Sequence, residues 1–244
     1  MTAASLTSDE ARLDIGWVIS ATLRVLRTRA GDLILVALPF LWLPSVISGF
    51  APDNRAVTLL MNLPGPVFTG AGSLITYQTL TGALPVAAGE ATRAGASRFG
   101  TLWLVALASG ILLVIGLILL IVPGILAGVG FCTASAVVMA ENKNTVPAME
   151  RAWRLSRGQR WRLVGLTGLL LVASLGALLV GAIGFAILGA MGAKAAVDPV
   201  ANLGFGPIFE TVIAMLTTVG TAAAYVGLRK AKEGRSEEIA RTFE

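Results

Sequence analysis

Between Arg98 and Glu141 the chain reads FGTLWLVALASGILLVIGLILL from Phe99 and then IVPGILAGVGFCTASAVVMA from Ile121, 42 consecutive residues without a charge. A bilayer core of about 30 Å needs about 20 apolar residues per helix, so this block is long enough for two spans. Pro123-Gly124 lies near its middle. Proline cannot continue a helix without losing a backbone hydrogen bond, and the pair signals a turn, so the stretch predicts a tight transmembrane hairpin. The whole chain has the same character. Of its 244 residues 55% are hydrophobic and 14% charged, more apolar and less charged than soluble domains. The expected fold is an all-α integral membrane protein with about six transmembrane helices.

Outward from the hairpin, the spans fall at about 33–50, 66–84, 101–121, 124–140, 163–191 and 205–228, within a six-helix membrane domain over 31–228. Pro39 and Pro44 should kink the first span, a distortion tolerated where neighbouring helices satisfy the freed carbonyls. The second holds Thr69, Ser73, Thr76, Gln78, Thr79 and Thr81. It is too polar to face lipid, so it is expected inside the bundle or along a small polar cavity. Residues 229–244 form a tail.

Positive charge orients the spans, because short cytoplasmic loops retain Lys and Arg. Six spans place 17 of the 19 Lys and Arg on one side and leave only Arg55 and Lys194 on the other. Dropping the second span would invert every later segment. Both termini are therefore expected in the cytoplasm. The first 30 residues are polar and charged, with no apolar signal-peptide core.

Residues 1–30 are expected to form an amphipathic interfacial helix. Thr7 to Glu10 has capping-box spacing, and Ile15, Val18, Ile19, Val25 and Leu26 fall on a face opposite Ser20, Arg24 and Arg27. The apolar face would lie at the acyl boundary, or alternatively pack on the bundle. The pI near 10.0 follows from topology and points to anionic lipid as partner, not to nucleic acid. TRAGDLILVAL at Thr28–Leu38 and SRFGTLWLVAL at Ser97–Leu107 share seven identities in eleven positions at an offset of 69, and a looser copy begins at Arg157–Arg162. The chain then reads as three units, each a basic interfacial helix followed by a transmembrane hairpin.

IVPGI at Ile121–Ile125, AMERAWRLSRGQRWR at Ala148–Arg162 and AYVGLRKAKEG at Ala224–Gly234 resemble the membrane-domain family found fused to some bacterial glycerophosphodiester phosphodiesterases, and its stand-alone relatives. The resemblance covers roughly Asp14 to Gly234. It implies a six-helix membrane module near lipid metabolism, and no hydrolysis, since the active site of the fused enzymes belongs to a separate soluble domain without a counterpart in this sequence.

The residues themselves also speak against an enzyme. There is no histidine, hence no usual general base and no His-dependent triad. The single cysteine, Cys132, reads as a small packing residue. No phosphate-binding or dinucleotide fingerprint occurs, carboxylates are scattered singly, and no metal or cofactor is expected. Gly124, Gly128, Cys132, Ala136 and Ala140 recur every four residues as a small-residue ridge for close helix packing, within one protomer or in a homo-oligomer.

Two sites remain. Trp153, Arg154, Arg157, Arg160, Trp161 and Arg162 combine arginine forks with interfacial tryptophans, suited to anionic headgroups and equally to plain positive-inside anchoring. Glu210 is the only ionisable side chain inside an expected span; with Gln78 it could line a polar path, or it could reach water near the helix start. The expected function is a non-enzymatic lipid-contacting scaffold or accessory module, in contact with membrane lipids and open to a membrane-protein partner. The alternative is a small transporter using the polar second span and Glu210, for which broken helices at Pro39, Pro44 and Pro207 would suit.

Overall fold

The computed structural model of the protein describes residues 13–50, 53–119, 121–190 and 206–242, and every element among them is helical. Helix α1 (Ile15–Thr28) is followed by the continuous helix α2 (Ala30–Phe50), the short α3 (Arg55–Asn62) and α4 (Gly65–Thr81). Then come α5 (Ala88–Ser97), α6 (Phe99–Leu119), α7 (Ile121–Phe131), α8 (Ala134–Glu141), α9 (Thr145–Ser156), α10 (Arg160–Ala190) and α11 (Gly206–Thr242).

Five stretches are long and apolar enough to cross a membrane: α2, α6, the α7–α8 pair from Gly124 to Glu141, and most of α10 and α11. Only 11% of the apolar window of α6 and 12% of that of α10 is buried by protein. Leu104, Leu107, Ile111, Ile115 and Ile118 stand exposed on α6, as do Leu171, Val172, Leu179 and Val180 on α10. Continuous apolar belts of this kind have no counterpart on soluble proteins and require lipid as their solvent.

The second expected span is α4, only 17 residues long. It is the polar, central helix: Val67, Phe68, Gly70, Ala71, Gly72, Ser73, Ile75 and Thr76 are all buried. Its hydroxyls turn back on their own backbone, Thr76 donating to the Gly72 carbonyl at 2.7 Å, Thr79 to Ile75 at 2.7 Å and Thr81 to Tyr77 at 2.8 Å. Such bonds satisfy the hydroxyls of a threonine-rich helix among apolar neighbours. Ser73 is the exception, a buried hydroxyl without a partner. Gly82 ends the helix in the left-handed region at φ 71°, which glycine adopts without strain.

Contacts at the helix ends give the direction of each pass. Arg29 donates to the Val86 carbonyl at 2.6 Å, Arg162 to Leu13 at 2.9 Å and Arg229 to the Tyr77 hydroxyl at 2.9 Å, while Arg98 bonds Asn142. These join the start of α2 to the connection after α4, the start of α6 to the end of α8, the start of α10 to the entry of α1, and α11 to α4, all toward one end of the bundle. Ser45 bonds Glu210 at the other. Helix α4 thus runs between the same two ends as its more apolar neighbours.

Several expectations need correction. The described helix α1 starts at Ile15, capped by Asp14, whose carboxylate accepts from the Trp17 N–H at 3.1 Å; the Thr7–Glu10 spacing lies outside the described residues. Its apolar face is not in the acyl boundary. Val18 and Val25 have 0% exposure, and Gly227 of α11 meets Leu13 and Trp17. Pro123-Gly124 is not the turn, because α7 begins at Ile121 and Pro123 falls in its first turn, where no N–H is needed. Pro207 likewise opens α11 and does not break it. Pro39 and Pro44 are accommodated by a π-turn at Leu38–Trp42, where the Leu43 N–H reaches the Leu38 carbonyl. Residues from 229 continue α11 as far as Thr242 and do not form a separate tail element. The end of the expected fifth span at Met191, and Lys194, lie outside the described residues.

The small-residue ridge serves packing within the chain. A Cβ on Gly124 would sit 2.5 Å from the Gly116 carbonyl carbon, and one on Gly128 2.7 Å from a Leu113 methyl. Both face α6. Cys132 falls at the break between α7 and α8, so the ridge is not one straight stripe; Ala136 is buried beyond it and Ala140 half-buried. Gly116→Ala is expected to destabilise the fold by about 1–3 kcal/mol, since the added methyl meets backbone that cannot yield. Gly110→Ala, with nothing within 4 Å, should be neutral or gain up to about 1 kcal/mol from helix propensity. Thermal unfolding of the two variants in one detergent checks this, and equal midpoints would contradict it.

Candidate functional site

The most heavily bonded polar cluster joins α4, α8, α9 and α11. Glu141, ending α8, receives Lys143 at 2.7 Å, Arg151 at 3.0 Å and the Tyr225 hydroxyl at 3.0 Å. Arg151, on α9, also bonds Glu233 of α11, which pairs with Arg229 one turn earlier at 2.5 Å. Arg229 closes the chain on Tyr77, whose ring lies 6.1 Å from that of Tyr225. Partial burial disfavours the Arg151 charge, but its hydrogen bonds and the fields of Glu141 and Glu233 prevail and hold its pKa above the usual arginine value. Each charge is answered by another, so the cluster locks helices together.

This network is not legible in the sequence. Only the four-residue spacing of Arg229 and Glu233 hinted at it. Glu141, Arg151 and the two tyrosines are far apart in sequence, and nothing local links them.

The Arg154–Arg162 cluster divides in two. Trp153 is turned inward, stacked on Phe131 with ring centroids 5.2 Å apart, and the Arg160 guanidinium lies over it at 3.7 Å from the centroid. Arg162 holds the Leu13 carbonyl at the entry to α1, and the Leu13 N–H donates to Gln159 at 3.2 Å. Arg154 and Arg157 are exposed, and Trp161 is 73% exposed. The six residues therefore do not converge on one pocket. Two arginines and a tryptophan face outward, and three act in packing.

Gln78 and Glu210 are also apart. Gln78 accepts from the Val86 N–H at 3.3 Å and so shapes the connection after α4. Glu210 is exposed near the start of α11 and lines a 190 Å³ cavity with Ser45, Ser48, Thr58, Asn62 and Gly65. Gly65 and Gln78 lie at opposite ends of α4, about 20 Å apart at 1.5 Å per residue. Among the described residues no group of His, Cys, Asp and Glu could hold a metal ion.

No family model matches the chain, and no curated protein or solved structure is similar to it. Among the described residues every element is helical, and five helices are long and apolar enough to cross a membrane.

Arg151→Ala should leave Glu141 and Glu233 without their shared partner and lower stability by about 1–2 kcal/mol, the range for hydrogen bonds to partly buried charges. Arg157→Ala, exposed, should change it by less than about 0.5 kcal/mol. Denaturation midpoints of both variants test the assignment, and an unchanged Arg151→Ala midpoint would remove the network from the account.

Proposed function

We propose that this chain is a non-enzymatic, six-span protein of a bacterial inner membrane, a lipid-contacting scaffold or accessory module with both termini in the cytoplasm. The observation that carries the reading is the use made of polar groups. Threonines bond their own helices, and the charges at one end of the bundle bond one another. Among the residues that stay outward-facing there are Arg154, Arg157 and Trp161, of the types that favour an anionic leaflet and its interface.

Six spans follow if α4 is counted with the five apolar passes, and the distribution of Lys and Arg is coherent only then. Arg29 and Arg98 interrupt the helix at matching places in the two similar segments, with φ −122° and −105°. This favours three repeated units of short helix and hairpin. The resemblance to the phosphodiesterase-linked membrane domains agrees with a module near lipid metabolism. The transporter alternative draws less support, because Gln78 is engaged with a loop far from the Glu210 cavity.

The test neutralises the two exposed arginines of the Arg154–Arg162 cluster. Arg154→Gln with Arg157→Gln should reduce co-purified anionic lipid, each residue contributing about 1 kcal/mol near an anionic surface. Replacing both with lysine should restore most of it if charge suffices, and little if the bidentate fork is needed. Lipid content by mass spectrometry decides; wild-type levels in the glutamine variant would overturn lipid contact through these residues.

A further inference from the structure

The far end of the bundle holds a feature that the proposed function does not use. Beside the 190 Å³ cavity at Glu210 lies a second one of 660 Å³, walled by α2, α3, α4, α6 and α11 with Phe131 of α7 and Ser135 of α8. Leu41, Asn62 and Gly65 belong to the walls of both, so the two adjoin. Their linings differ in chemistry. The larger is walled mainly by aliphatic and aromatic side chains, among them Leu59, Phe68, Leu102, Trp103 and Phe131. The smaller gathers Ser45, Ser48, Thr58 and Asn62 around the Glu210 carboxylate.

We propose that the paired cavities form one binding site for an amphiphile bearing a primary ammonium on an aliphatic chain, with the chain in the larger cavity and the ammonium at Glu210. The larger volume lies within the range of about 300–1,000 Å³ usual for ligand sites. Glu210 enters no ion pair among the described residues; its recorded partner is the Ser45 hydroxyl. A carboxylate flanked by hydroxyls and an amide is an acceptor-rich cradle, matched by the three N–H donors of a primary ammonium. An anionic head would meet like charge there. Lipid tails are as apolar as the cavity wall, so burying a chain gives no preference among lipids, and the carboxylate must supply the selection. The site is independent of Arg154 and Arg157, which lie at the other end of the bundle. Failure of either reading leaves the other standing.

The experiment places the full chain in phosphatidylcholine vesicles carrying a chain-brominated phosphatidylethanolamine, or the matching brominated phosphatidylglycerol. A third arm adds a brominated alkylamine. Quenching of Trp103 is read as the difference between the wild type and Trp103→Phe, and co-purified lipid is measured by native mass spectrometry as a second readout. The expected result is about a tenfold preference for the amine lipid over phosphatidylglycerol, the scale of one charge-assisted hydrogen bond. That preference should vanish in Glu210→Gln and persist in Glu210→Asp, which also shows that the fold tolerates change there. Quenching by the free amine as well would mean that an ammonium on a chain suffices; quenching by the lipid alone would make the bilayer aminophospholipid the ligand. Equal quenching by both headgroups in the wild type, or a preference unchanged in Glu210→Gln, would overturn the proposal.

Discussion

The burial of α4 against α11 is the interaction on which the rest of the arrangement depends. Gly72 brings the two backbones close, since a Cβ there would lie 2.9 Å from the Thr218 methyl, and Ala71, Ile75 and Val219 fill the seam around it. A helix with so many hydroxyls can occupy this position because Thr76, Thr79 and Thr81 satisfy themselves on the preceding turn. Once α4 is fixed beside α11, its end carries Tyr77 to Arg229 and its start carries Gly65 to the cavity at Glu210. Both polar regions of the molecule are positioned by that one seam.

Lipid changes what holds such a bundle together. Between helices in a bilayer there is no hydrophobic drive, so association comes from close packing and from polar links. The protein uses both. Gly116 and Gly124 let α6 and α7 touch backbone to backbone, Gly181 receives the Phe209 ring between α10 and α11, and Gly95 approaches the Val67 carbonyl between α5 and α4. Polar links concentrate at one end, where Glu141, Arg151, Arg229 and Glu233 join four helices.

Much of this fold was legible from hydropathy and charge, because lipid imposes a length on every apolar stretch and positive charge marks one side. The uncharged block at 99–140 gives two antiparallel passes, as expected. The polarity of the second span also pointed to its interior place. Details set by three-dimensional proximity were not legible. Pro123 looks like a turn residue until the helix is seen to begin before it, and the amphipathic face of α1 is equally suited to lipid and to protein. The arginine and tryptophan cluster reads as one patch, yet Arg160 and Trp153 pair with each other and Arg162 with the Leu13 carbonyl. The paired cavities at Glu210 arise from helices distant in sequence, and no motif announces them.

The account turns on whether α4 crosses the bilayer as a buried sixth pass, and sidedness of the residues before and after it tests that most directly. Cysteines placed singly at Asn54 and at Leu84, which is 88% exposed, would be offered an impermeant maleimide in intact cells after Cys132→Ser. The account predicts labelling at position 54 from outside and protection at position 84 until the membrane is opened. Labelling of both from the same side would contradict it.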